Sequence, residues 1–455
     1  MVVVFVIGYI CIALEHLIKI DKAAIALLMA GIMWSIYILL VPESGAGAHQ
    51  EAFQEYLTLN PSILSISYLE QCRRFITEFQ LIEYMGDVSS TLFFLIGAMT
   101  IVELIDTHHG FDIITDKITT NNKKRLLWLI SFIAFFMSAI LDNLTTSIVM
   151  VTLVKKLVPN YKERWIFAGM IIIAANSGGA WSPIGDVTTI MLWIKGMISS
   201  WPLIKATFLP SLVSAIVPLI IATRLLSNES TTNIIKTNKL EKEFSISRKE
   251  RVIILVLGVG ALLSVPVFKY VTTLPPFAGV LTALSLLWIY TEILYSKLKI
   301  KESAKNRVSK VLKKVDTATI LFFLGILLSV MSLQANGSLI YAGNFLNGIT
   351  ENSNLVAATM GALSSIIDNV PLVAVSMGIY PISHIATSAF VMDGTFWHFL
   401  AYTAGTGGSM LIIGSAAGVV VMGLEKISFS WYFKNISLLA LLGFIAGCAT
   451  FLLIN

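Results

Sequence analysis

The chain has 455 residues, of which 56% are hydrophobic and 13% charged, with a mean hydropathy of +0.82. A soluble globular domain carries about 25% charged residues, so this composition excludes a soluble protein and reads as a polytopic membrane protein. The net charge of +5 says little as a total; its distribution along the chain is what carries information.

Apolar runs such as Ala23–Val41 and Ile436–Leu453 approach the ~20 residues that cross ~30 Å of hydrocarbon as a helix. No period-two alternation suggests an outer-membrane barrel. Met1–Leu14 has no basic head and reads as the first membrane helix rather than a removable signal. Lys and Arg gather around 117–125, 155–164, 224–251 and 297–314, so the positive-inside rule makes those four connections cytoplasmic. Pro42–Gly86, with an interfacial helix expected over Tyr68–Met85, and the connections 335–353 and 381–399 then face outside.

Threading the spans between these loops gives ten crossings. Met1–Ile18, Ala23–Val41 and Val88–Asp106 are the first three. The apolar block 126–158 begins and ends at cytoplasmic loops. Two arms of about 16 residues are short for full crossings, so it reads as a re-entrant hairpin opening inward, with Asp142-Asn143 at its tip. The span 165–193 is interrupted by Asn176–Asp186, whose glycines and proline forbid regular helix; broken backbone at membrane depth is tolerated where it lines a polar cavity. Leu203–Ala222 follows, then the basic linker 227–251.

The pattern recurs upside down over 252–455. After Ile253–Phe268, Phe277–Tyr295 and Thr317–Leu333 comes a hairpin over 355–380 that opens outward, with Asp368-Asn369 at its tip. A second broken helix, 397–423, is interrupted at Gly405–Gly408 and Gly414-Ser415, and Ser428–Leu453 leaves the C-terminus outside. Phe93–Gly97 echoes Phe322–Gly325, and Ser177-Gly178-Gly179 echoes Thr406-Gly407-Gly408. The expected architecture is all-α: two inverted repeats (1–226 and 252–455), about ten transmembrane helices, two re-entrant hairpins and two broken helices. Such repeats place their site near the midplane.

The ionisable residues at membrane depth are Glu103, Asp106, Asp142, Asp186 and Asp368, all acids, and an intramembrane carboxylate is by default a functional hypothesis. Carboxylates with Asn and Thr oxygens suit a hard cation that takes oxygen ligands, so sodium, lithium and protons are the candidates. A buried Asp has its pKa raised from ~3.9; proton and cation then compete for one group, which couples their movements. The expected site is Asp142, Asn143, Asp368 and Asn369 around the cation, with Asn176, Asp186, Thr188 and Thr189 from the first broken helix and Thr406 and Ser409 from the second. Glu103 is a further candidate. Asp142, Asp186 and Asp368 also suit helix N-caps, and whether Asp142 or Asp186 carries the proton stays open. His108-His109 read as a solvated loop pair. Cys11, Cys72 and Cys448 lack metal-ligand spacing and read as filler. No cofactor, nucleic-acid partner or enzymatic motif is expected.

The stretch Phe93–Asp106 (FFLIGAMTIVELID), the stretch Ala174–Trp193 (AANSGGAWSPIGDVTTIMLW), the Asp-Asn tips and Gly405–Ser409 together resemble the NhaD-type sodium/proton antiporters of the ion transporter superfamily. The resemblance runs from Val88 onward. It implies exchange of cytoplasmic sodium or lithium for external protons in a cell membrane, a homodimer among lipids, and an elevator-like movement of a transport domain that carries both hairpins. Related dicarboxylate carriers have Ser-Asn-Thr at the tips, and Asp142 and Asp368 stand where those have Ser. The alternatives are another carrier of the superfamily (arsenite, citrate or a dicarboxylate) and a membrane sensor or scaffold without flux.

Overall fold

A computed structural model describes residues 1–13, 15–39, 50–115, 120, 122–226, 247–297, 308–350, 352–366, 368–385 and 387–455. Most of the basic linker, 227–246, lies outside the described residues, as does 298–307 of the second basic segment. Among the described residues every regular element is helical. In chain order the principal ones are α1 (Val2–Ala13), α2 (Lys22–Leu39), α3 (Gln50–Leu59), α4 (Tyr68–Thr107), α5 (Lys123–Leu141), α6 (Asn143–Leu157), α7 (Tyr161–Gly179), α8 (Val187–Ile194), α9 (Ser200–Leu225), α10 (Arg248–Thr272), α11 (Pro276–Lys297), α12 (Thr317–Ala335), α13 (Ser338–Ile349), α14 (Ser353–Leu363), α15 (Asn369–Ile379), α16 (Thr395–Gly407), α17 (Ala416–Glu425) and α18 (Phe429–Ile454).

Eight of these (α2, α4, α5, α9, α10, α11, α12 and α18) are long and apolar enough to cross a membrane. The protein is a multi-pass, all-helical membrane protein. Both tips fall where the polar residues predict them, while both interruptions begin later than expected, Asn176–Gly179 and Gly405–Gly407 still being helical: α5 and α6 meet at Asp142, α14 and α15 flank Asp368, α7 stops at Gly179 before α8, and α16 stops at Gly407 before α17. Three expectations about individual segments change. The first hairpin arm has 19 residues rather than about 16, because Lys123, Lys124 and Arg125 continue the helix into its first turn. Tyr68–Met85 is not a separate interfacial helix but the first part of one 40-residue helix; Gly86 does not break it, and a π-helical turn over Phe75–Gln80 absorbs the irregularity. The connection expected over 335–353 also contains a helix, α13.

The chain divides into two compact units. The first comprises Met1–Phe93, Asp316–Asn352 and Val373–Pro381. Here α12 lies on α2 so closely that a Cβ at Gly325 would stand 2.5 Å from the Ala26 backbone. Trp34 Nε1 donates to the Leu328 carbonyl at 3.0 Å and Tyr37 OH to that of Ala335 at 3.1 Å. Phe53, Tyr56, Leu57, Ile63, Cys72 and Phe75 form a small separate core between α3 and the start of α4, where Cys72 serves as packing.

The second unit comprises Phe94–Val315, Ser353–Leu372 and Ile382–Asn455. It contains one set of contacts twice. Ser138 Oγ donates to the Ala175 carbonyl at 2.6 Å, and Ser364 Oγ donates to the Ala404 carbonyl at 2.8 Å. A Cβ at Gly178 would meet the Phe135 carbonyl oxygen at 2.1 Å, and one at Gly407 that of Gly361 at 1.9 Å. A Cβ at Gly185 would meet the Ser138 carbonyl oxygen at 2.8 Å, and one at Gly414 that of Ser364 at 2.7 Å. The glycines therefore allow each hairpin arm to sit backbone-on-backbone against its broken helix, which brings the tips to the interruptions.

Candidate functional site

Asp186 ends the first interruption and is the N-cap of α8. Its Oδ1 accepts from Thr188 N at 2.8 Å and from Thr188 Oγ1 at 2.7 Å, while Thr189 Oγ1 donates to the Asp186 backbone carbonyl at 2.9 Å. Pro183 and Gly185 turn the chain so that this cap lies inside the unit, and the residue is 1% exposed. A helix N-terminus supplies partial positive charge, but not enough to leave a buried carboxylate without further partners.

Those partners come from the hairpin tips. Asn143 Nδ2 donates to Asp186 Oδ2 at 2.6 Å and to Asn176 Oδ1 at 3.0 Å. Asn369 Nδ2 donates to Asp186 Oδ1 at 3.2 Å and Oδ2 at 3.3 Å. Asn176 Nδ2, in the last turn of α7, donates to Ser409 Oγ at 2.9 Å and Ser415 Oγ at 3.0 Å. Both tips and both interruptions thus share one buried network, with Asp186 as its anion.

Asp142 is placed differently. Its side chain turns back on its own helix, where Oδ1 accepts from Thr145 N at 2.7 Å and Oδ2 from Thr145 Oγ1 at 3.0 Å. Its backbone has φ 80° and ψ 160°, a conformation natural to glycine that costs another residue about 1–3 kcal/mol. Asp368 accepts from Val370 N at 3.4 Å; Pro371, one position on, has no N–H to offer. Asp142 and Asp368 each lie close enough to Asp186 for their charges to interact. The capping reading of Asp142 holds in its geometry.

Two expected site residues bond to local partners. Thr406 Oγ1 donates to the Tyr402 carbonyl within its own helix at 2.7 Å, because a hydroxyl in regular helix finds that carbonyl first. Glu103 sits at the end of α4, accepting from Thr107 Oγ1 at 3.0 Å and pairing with Lys314 at 3.3 Å. The reading of His108-His109 as a solvated pair is corrected for one of them. His108 is buried, its Nδ1 donating to the Leu104 carbonyl at 2.7 Å and its Nε2 accepting from Tyr295 OH at 2.5 Å. His109 is exposed beside Asp112. Ser415 was not among the expected residues. It stands at the same offset from Asp186 as Gly414 does from Gly185, so the internal repeat pointed to it.

The donor set mixes carboxylate, amide and hydroxyl oxygens; among the described residues no three or more His, Cys, Asp or Glu are clustered to hold a metal ion. No Lys or Arg occurs in 126–154, 165–194, 353–380 or 395–425. The arrangement suits a small cation or a proton and offers no side-chain cation to an organic anion.

Comparison with known proteins finds a family model and individual relatives. The family model described as "Citrate transporter" matches residues 9–393. Sodium/proton antiporter 2 of Arabidopsis thaliana is 42% identical over 100% of this chain and 99% of its own length, and sodium/proton antiporter 1 of the same plant is 43% identical over 100% and 72%. The Na+/H+ antiporter NhaD of Vibrio cholerae is 28% identical over 99% of this chain and 91% of its own.

Proposed function

We propose that this chain, which belongs to the citrate-transporter family together with the sodium/proton antiporters it matches, exchanges sodium or lithium for protons. The observation that carries this reading is the convergence of Asn143 and Asn369, one from each hairpin tip, on the single carboxylate of Asp186.

Both amides turn their N–H groups toward Asp186. A half-turn of each amide would present oxygen instead, since the Asn side chain carries donor and acceptor on one rotor. Those oxygens, the Asp186 carboxylate and neighbouring hydroxyls would then surround a dehydrated cation. Protonation of Asp186 removes the charge that holds the cation, so the two ligands exclude each other. Asp142 and Asp368 add negative potential on either side, and Ser409 and Ser415 fix Asn176 in place.

The wider organisation belongs to the same reading. The paired contacts support two inverted repeats, 1–226 and 252–455, with hairpins over 126–158 and 355–380, broken helices over 165–193 and 397–423, and the linker 227–251 on the cytoplasmic side. The chain would work as a homodimer in a cell membrane, its C-terminus outside, alternately exposing the site to each side. The ions are substrates, and no cofactor takes part.

The test uses purified protein in liposomes loaded with a pH-sensitive dye. Adding sodium or lithium should drive protons across the bilayer, and potassium should do so less. Uptake of citrate or a dicarboxylate without proton movement would replace this reading with that of another carrier in the family; absence of all flux would leave a sensor or scaffold.

A further inference from the structure

The far ends of the site's helices are joined by charged groups that exchange chemistry does not use. Glu163 and Arg164 lie in the first turn of α7. Glu163 Oε1 accepts from Lys123 Nζ at 2.8 Å, and Lys123 opens α5, the first hairpin arm. Arg164 Nη1 donates to the Val158 and Pro159 carbonyls, both at 3.2 Å, where the second arm, α6, ends. Arg164 Nε pairs with Glu425, the last residue of α17, whose side chain is fully buried. The next residue completes the junction: Trp165 Nε1 donates to the Glu425 carbonyl at 3.0 Å, and its ring meets that of Trp431 edge-on at 5.1 Å.

Lys123 and Arg164 belong to the basic loops that mark the cytoplasmic side, but a marker of topology needs only to be charged and solvated. The Lys123 side chain is 9% exposed and that of Arg164 is 15%. Charges are held this far from solvent only with partners, and these partners lie on α7, on α17 and in the turn that follows α6. Both feet of the hairpin and the end of the second broken helix are anchored on one tripeptide at the start of the first.

We infer that Glu163 and Arg164 are positioning residues for the cation site. They set the height at which Asn143, at the other end of α5 and α6, meets Asp186. The first arm, α5, packs on α7 through the glycine contact at Gly178, where the Phe135 backbone lies against that of Gly178 and side chains cannot rearrange to take up a shift. A displacement at the feet therefore reaches the tip. The inference rests on the exchange reading for its transport readout only.

The experiment compares Arg164→Gln, Glu163→Gln and the Arg164→Gln/Glu425→Gln pair with the parent protein in proteoliposomes. The double substitution leaves no lone buried charge, so it supplies folded protein if the single ones do not. Each is expected to raise the sodium KM roughly tenfold while Vmax per folded protein changes by less than about twofold, the pattern of a binding geometry disturbed without loss of the exchanging group. Amide hydrogen exchange at residues 140–146 should speed up in all three. A double variant with the parent's KM and unchanged protection at 140–146 would overturn the inference. If the parent protein itself shows no sodium/proton exchange, the functional reading fails, and hydrogen exchange alone decides the positioning role.

Discussion

Asn143 and Asp186 meet at 2.6 Å although they belong to different segments, one at a hairpin tip and one at the end of a helix interruption. A charged acceptor makes this bond stronger than one between neutral groups. It ties the first tip directly to the first broken helix.

Asp186→Asn should abolish sodium-dependent proton movement at every pH between 6 and 9, because the substituted amide neither titrates nor carries charge. The measurement is proton release from everted vesicles after adding sodium, with protein quantity checked by blot. Wild-type exchange by a well-folded Asp186→Asn protein would move the exchanging role to another carboxylate.

Asn143→Ala and Asn369→Ala each remove one donor from the same carboxylate. In the exchange reading each amide turns its oxygen to the cation, so losing either ligand should raise the sodium KM roughly tenfold, about 1.4 kcal/mol of binding. Because the two amides share one acceptor, the double variant should be non-additive by about 0.5–3 kcal/mol. Strictly additive effects would mean that the tips act at separate sites.

Asp142→Gly pits stability against function. Glycine adopts φ 80° without strain, which favours the variant, while the lost cap at Thr145 N costs about 0.5–2 kcal/mol. The melting temperature in detergent should therefore stay within a few degrees of the parent while exchange falls. Asp142→Ala keeps the strain and loses the cap, so it should melt below Asp142→Gly. The reverse order would show that the backbone at this tip is not under load.

Acid should weaken the junction of His108 with Tyr295. Burial is the largest influence on this histidine and lowers its pKa from 6.5. The unfolded chain therefore takes up the proton first. The stability that His108 lends is complete above about 6.5 and is lost as pH falls through the depressed native value. His108→Gln should flatten the melting temperature below pH 6.5 relative to the parent; parallel curves would remove His108 as the cause.

Gly178→Ala and Gly407→Ala should both collapse the yield of folded protein, since the added methyl would meet a carbonyl oxygen at 2.1 and 1.9 Å. Gly260→Ala is the control, with nothing within 4 Å of the new Cβ. Size-exclusion profiles of the three make the comparison.

Much of this architecture was legible because membrane sequence punishes irregularity. Asp142-Asn143, Asp368-Asn369 and the glycine-rich stretches could not be ordinary helix in lipid, and each marks a real end of a helix. What composition could not reveal was side-chain direction. Asp142 faces its own cap and Asn143, one position later, faces the site; adjacent residues at a tip diverge, and only the turn geometry says which points where. Thr406 and Glu103 were drawn in by residue type alone, and their helices give them local partners. His108 shows the converse: a histidine beside an exposed twin became buried because Tyr295 on α11 covers it.

The 40 residues of α4 amount to about 60 Å of helix, twice the hydrocarbon thickness. Its early turns carry Glu70, Arg73, Arg74 and Glu78 and contribute Phe75 to the aromatic core with Phe53 and Tyr56. A clustering of rings stabilised by leaving water obeys different rules from helices already surrounded by oil. Urea weakens the former by solvating its apolar surface, whereas the latter answers to the choice of detergent or lipid. The molecule should consequently come apart in two stages, the aqueous lobe surrendering to denaturant at concentrations that leave the intramembrane bundle folded.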